Sequence, residues 1–212
     1  MKKMLIGAVV GVAAAGIGMY AYQHNKQQSG AARVETSESA LAAAKRKSAD
    51  GGASLRGVAM TGAVLTVNNG ESIQAAVGKA KPGDTIRIMP GLYKETVYID
   101  KDNIAIVGVI QDGEWPVMDG ERKLNDAILY SGSGIRIENM KIMHYKGNAI
   151  MGQAGNNFVI RYNWIVDTGV YGIFPEFGKN GLIEYNVVSG IEDAAIYVGM
   201  CDNIQVSNNE VF

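Results

Sequence analysis

Residues 134–212 read GIRIENMKIMHYKGNAIMGQAGNNFVIRYNWIVDTGVYGIFPEFGKNGLIEYNVVSGIEDAAIYVGMCDNIQVSNNEVF, and their repetition decides the fold. Ile137, Ile160, Ile183 and Val206 recur at one interval of about 23 residues. A second column, Ile142, Ile165, Val188 and Val211, keeps that interval, and Ile150, Ile173 and Ile196 form a third. A period of this length marks a solenoid, whose units bury their apolar faces only by stacking on one another.

The polar columns say how the units turn. Asn157, Asn180 and Asn203 form one ladder; Asn163, Asn186 and Asn209 form another, with Met140 in the preceding place. Asparagine tolerates left-handed turn conformations, and stacked amides can bond from rung to rung at the ~4.8 Å strand spacing. Between these corners lie short β-branched or aromatic runs such as Phe158-Val159-Ile160 and Trp164-Ile165-Val166, too short and too near glycine for helices. Each unit is therefore predicted to be three short strands joined by turns. Glu138, Arg161 and Glu184 alternate in sign down a column expected to face solvent, where each pair contributes only about 0.2–1 kcal/mol.

Upstream the period loosens: Glu114 stands where the repeat asks for an apolar residue, and residues 111–116 read as an insertion. Thr85–Met89, Thr96–Ile99 and Ile104–Gly108 still alternate with turns. Ile73, Ala76, Val77 and Ala80 have helical spacing, with Glu71 before them and Lys79 and Lys81 at the far end, as the helix dipole favours. This amphipathic helix is expected to cover the open end of the first coil.

The stretch ESIQAAVGKAKPGDTIRIMPGLYKETVYIDKDNIAIVG, residues 71–108, resembles the opening of right-handed parallel β-helix proteins of the pectin-lyase-like superfamily. Its helix, PGD turn, first strand, PG-x-Y turn and second strand come in that order, and the units from Gly134 onward resemble the superfamily's repeats. The resemblance spans about residues 66–212 and implies an all-β, right-handed, single-stranded parallel β-helix with an N-terminal amphipathic cap helix. It implies no single activity, because one scaffold carries lyases, hydrolases, epimerases, adhesins and metal-delivery proteins.

Three regions follow. Lys2 and Lys3 precede an uncharged run from Met4 to Gln23, so residues 1–23 read as a signal peptide or membrane anchor. Residues 24–62 are polar and read as a flexible linker, and 63–212 as the β-helix domain. An exported protein is expected, periplasmic or extracellular. Val211 and Phe212 fall in a strand with no cover after it, so a further segment or a partner is expected over the last coil. The net charge of −1 and the lack of a basic stripe argue against nucleic acid. Cys201 has no partner for an intrachain disulfide and reads as a small buried residue in the column of Gly155 and Gly178.

The chemistry converges on one turn column. The register puts His144 over Asp167, rungs apart by ~5 Å, a pairing suited to general acid or base work with Asp167 as the orienting partner. Tyr145 and Lys146 lie beside it as substrate contacts. The segment YGIFPEFG, Tyr171 to Gly178, reads locally as a turn and resembles the YG-x-DPHE motif of mannuronan C5-epimerases, with Phe174 in the place of the catalytic Asp and no His between Pro175 and Glu176. On that resemblance Tyr171 and Glu176 are expected sugar contacts. Asp119, Asp167, Asp193 and Asp202 do not fall in one repeat column, so no calcium cage is expected, and no cofactor is named. The leading expectation is binding or processing of a polysaccharide of uronate type by a lyase, epimerase or hydrolase. Two alternatives stay open. Met140, Met143 and His144 form a soft set suited to copper, similar to β-helix accessory proteins of nitrous oxide reductase maturation; the other is a non-catalytic adhesive scaffold.

Overall fold

The computed structural model describes residues 59–212. The expected signal or anchor (1–23) and nearly all of the linker (24–62) lie outside them. Among the described residues no helix is long and apolar enough to cross a membrane.

The described chain is a parallel β-solenoid of about six turns. Its three sheets each take one strand from successive coils. The first contains β1 (Val64–Val67), β2 (Thr85–Ile88), β5 (Ala105–Gly108), β8 (Arg136–Glu138), β11 (Val159–Arg161), β14 (Leu182–Glu184) and β17 (Gln205–Ser207). The second contains β3 (Gly91–Tyr93), β6 (Pro116–Asp119), β9 (Lys141–Met143), β12 (Trp164–Val166), β15 (Val187–Ser189) and β18 (Glu210–Val211). The third contains β4 (Val97–Ile99), β7 (Ile128–Tyr130), β10 (Ile150–Gln153), β13 (Tyr171–Glu176) and β16 (Ala194–Ile196).

The sequence columns are the ladders. Ile137, Ile160, Ile183 and Val206 pair in order, as do Ile142, Ile165, Val188 and Val211, and Ile150, Ile173 and Ile196. Their side chains fill the interior up to the last coil, where Val206 and Val211 are exposed; Ile137, Ile160 and Ile183 are fully buried. Fully burying one such side chain contributes roughly 1.5–3 kcal/mol, so the stacked columns dominate the stability of the coil.

Corners require a sharp reversal, and the backbone makes it with left-handed residues. Asn157, Asn180 and Asn203 precede the first sheet with φ of 56°, 57° and 55°. Asn139, Tyr162, Tyr185 and Asn208 turn the chain into the second sheet, and His144 and Asp167 turn it into the third, again with positive φ. The other asparagine ladder lies inside. Asn163 Nδ2 donates to Asn186 Oδ1 (3.0 Å), and Asn186 Nδ2 to Asn209 Oδ1 (2.9 Å). The same amide groups donate to the carbonyls of Ile137 and Ile160, so a buried polar column satisfies itself.

Two expectations are corrected. The Glu138, Arg161, Glu184 column is not solvent-exposed: Glu138 is 2% and Arg161 6% exposed. Arg161 Nε donates to Glu138 (2.8 Å) and its NH1 to Glu184 (3.4 Å), beside the stacked rings of Tyr162 and Tyr185. Burial makes these contacts obligatory, because an unpaired charge there is costly. The segment at Tyr171 is no turn but β13, the longest strand of the described coil.

In the opening coils, Asp84 of the PGD turn accepts from the Ala63 and Lys81 amides (2.7 and 2.8 Å). The helix α1 (Ile73–Lys79) buries Ile73, Ala76 and Val77. Glu95 accepts from the Ile73 and Gln74 amides at its N-terminus (2.8 and 3.0 Å), and Lys101 Nζ donates to the Val77, Gly78 and Ala80 carbonyls at its C-terminus. Both ends of a helix too short to persist alone are thereby held by the connections on either side of β4. The insertion at 111–116 forms a bridge between Gln111 and Glu114 and delivers Trp115 edge-on to Trp164.

Candidate active site

His144 sits at the left-handed corner between β9 and the third sheet, with φ of 58°. Its amide donates to the Asp167 carbonyl (3.1 Å), which sets the two residues on adjacent rungs as the repeat requires. The Asp167 carboxylate lies 3.7 Å from His144 Nε2. A nearer carboxylate comes from the other side: Asp119 Oδ1 is 3.1 Å from His144 Nδ1. The imidazole is thus flanked by one carboxylate from the rung before and one from the rung after. It is about one-quarter exposed, sheltered yet reachable.

Subtracting whole repeats could not find Asp119. It pairs with Met143, so its rung is one residue longer than the regular unit, and its side chain reaches the neighbour of its ladder partner. The signal was the local loosening of the period between residues 111 and 130. The same irregular segment supplies Arg122, whose NH2 is 2.6 Å from Asp167 Oδ2. Its backbone is stitched to the corner: the Gly120 amide donates to Met143 O (3.0 Å), the Arg122 amide to His144 O (2.7 Å), and Lys146 N to Leu124 O (2.9 Å). Around it, Glu121 binds Lys94 and Lys123, and hydrogen bonding from Lys94 first, then Lys123, pulls its carboxyl down to about 2.

The other expected residues divide. Lys146 is exposed at the same corner. Tyr145 turns away from it into the core: it is 2% exposed, its hydroxyl donates to Glu95 O (2.7 Å), and burial pushes that hydroxyl well above the ordinary phenol range. A contact between Tyr145 and substrate is therefore corrected to a packing role. Met140 is fully buried with the isoleucines, while Met143 lies within β9, so the soft set of Met140, Met143 and His144 does not converge. Among the described residues no three His, Cys, Asp or Glu side chains form a metal-holding group. Cys201 is half-buried rather than enclosed and accepts from the Gly178 amide.

Tyr171 belongs to an aromatic platform on the third sheet. Its ring stacks on Tyr197 (5.0 Å, 22°) and tilts on Phe174 (4.8 Å), and Phe174 also meets Tyr197 (5.2 Å). The register extends this outward column from Phe174 through Met151 and Leu129 to Tyr98. Desolvation, then the charge and hydrogen bond of Asp193, raise the Tyr171 hydroxyl above its ordinary value. Glu176 ends the same strand, half-buried. Asn148 links the start of this strand to the coil before it: its side chain accepts from the Tyr171 amide (3.2 Å) and donates to Asp126 (2.8 Å).

A family model described as a right handed beta helix region matches residues 100–211, more than half of the chain. The chain belongs to the right-handed β-helix family. This β-helix is similar in structure to an alginate lyase from Paenibacillus sp. str. FPU-7, with a TM-score of 0.50 and 16% identity, a likeness of fold. The match covers 68% of this chain and 58% of that one, so this β-helix spans little more than half the length of that lyase. No curated protein matches it.

Proposed function

We propose that this β-helix binds a polysaccharide along its third sheet and processes it at His144. The observation that carries the reading is the imidazole held between Asp119 and Asp167, on a coil whose third sheet carries a part-exposed aromatic cluster. An aromatic face offers a sugar ring a flat apolar surface, and a parallel solenoid repeats that surface along the direction in which a polymer runs. With Asp119 accepting from Nδ1–H, Nε2 is left as the proton acceptor, the tautomer a general base needs. In an elimination from a 1,4-linked uronate, His144 would take the C5 proton, the bond from C4 to the glycosidic oxygen would break, a C4–C5 double bond would form, and the departing oxygen would take a proton from water. The fold shared with an alginate lyase supports a carbohydrate substrate of this kind.

In the same reading the apolar run within residues 1–23 exports or anchors the protein, residues 24–62 hold the coil away from a membrane, and α1 closes the first coil. Tyr171, Glu176 and Lys146 contact the sugar. The test is incubation with alginate and polygalacturonate, following the ultraviolet absorbance of unsaturated uronate ends and, by NMR, inversion at C5. New absorbance or inversion that disappears in His144→Ala supports the reading; no change of either kind together with no binding of either polymer defeats it.

A further inference from the structure

We infer that Arg122 is the residue that selects acidic over neutral sugars, and that the Asp167 carboxylate is the resident stand-in for a substrate carboxylate. This rests on the polysaccharide reading above and adds the group that is read. Asp167 Oδ2 lies 2.6 Å from Arg122 NH2 and 3.7 Å from His144 Nε2. A sugar carboxylate oxygen taking that place touches the guanidinium and brings its ring to the imidazole at once. The contact with Asp167 joins one nitrogen to one oxygen, whereas a guanidinium offers a planar fork that binds a carboxylate through two parallel bonds. The side chain is 63% exposed, so the fork is open to an incoming anion.

Its position is nevertheless fixed. Glu121 and Arg122 are successive left-handed residues, with φ of 50° and 55°, in a turn closed by Lys123 and Leu124 amides donating to Gly120 O. Asp119 accepts from the Glu121 amide (2.8 Å), so the carboxylate that holds His144 also holds the turn that carries Arg122. The turn lies in the coil that departs from the regular interval, pairing Asp119 with Met143. A carboxylated ligand that displaces Asp167 offers the guanidinium a carboxylate in exchange, whereas a neutral sugar offers none.

The experiment measures calorimetric affinities of the full chain for mannuronate, guluronate and galacturonate oligomers, each beside the same oligomer with its carboxyls reduced to hydroxymethyl groups. Wild type should prefer at least one acidic oligomer about tenfold or more over its reduced form. Arg122→Gln should bring that ratio near one and leave the neutral affinity unchanged. Asp167→Asn should tighten the acidic oligomer several-fold and not the neutral one, and should do nothing once Arg122→Gln is present. Circular dichroism and thermal melting establish that each variant is folded. Retained acid preference in Arg122→Gln, or weaker acidic binding in Asp167→Asn, overturns the inference while leaving the polysaccharide reading intact. Binding of no oligomer, acidic or neutral, overturns both.

Discussion

Asp119 and His144 meet across one rung, Oδ1 to Nδ1 at 3.1 Å, although no whole number of regular repeats separates them. The contact depends on a lengthened coil that moves Asp119 into register with Met143. Asp119→Asn keeps the shape but lets the ring choose the other tautomer. If the proposed chemistry is right, turnover on a uronate polymer should fall about 10²-fold with little change in KM, as loss of a positioned base does. Steady-state kinetics check this, and NMR should show the His144 Nδ1 proton exchanging faster with water.

Tyr197 stacks on Tyr171 at 5.0 Å and contributes an open face to the platform. Tyr197→Ala should weaken oligosaccharide binding roughly five-fold, about 1 kcal/mol, the scale of one aromatic contact. Titration of intrinsic tyrosine fluorescence with oligomers measures it, and thermal stability should fall only modestly, because the ring is 46% exposed and packs only on Tyr171 and Phe174 within the cluster.

Glu121 gives the fold a small contribution that depends on pH. Its folded value is lowered from 4.5 to about 2 by Lys94 and Lys123, so its stabilisation is present above 4.5 and is lost as pH falls toward 2. Glu121→Gln should therefore lower the melting temperature at neutral pH modestly, while the gap from wild type closes between these two values. A pH series of thermal melts decides it, and a gap that widens on acidification contradicts the assignment.

Asn186 is fully buried in the asparagine column. Asn186→Ala strips a partner from the Asn163 amide and from Ile160 O, each buried group costing roughly 1–3 kcal/mol when left alone. A loss of about 3 kcal/mol is expected in urea unfolding. Gly108→Ala should also be damaging, by about 1–3 kcal/mol, for a different reason: its new Cβ would meet Asn139 O at 2.0 Å and Pro116 Cγ at 2.6 Å.

The periodic part of the coil was legible because each ladder repeats one physical demand. Ile137, Ile160 and Ile183 must be apolar for the same reason, and Asn163, Asn186 and Asn209 must bond upward and downward alike. His144 and Asp167 were found as neighbours by that logic. Tyr145 was misread because the turn reverses direction between positions 144 and 145, which no repeat interval reveals. The charges on Arg161 and its partners alternate in sign and read as a solvent-facing column, yet burial is a property of everything packed around a face, and Glu138 and Arg161 are buried.

What the sequence by itself determined is the solenoid: coil length, three strands per coil, asparagine corners, and the pairing of every regular column. Equal spacing in a chain becomes vertical stacking whenever equal lengths make equal turns. Only the tertiary structure decided the candidate site. Asp119 and Arg122 come from the stretch where that equality fails, and the position of an irregular loop depends on the backbone bonds it makes to the next coil, as Arg122 does to His144.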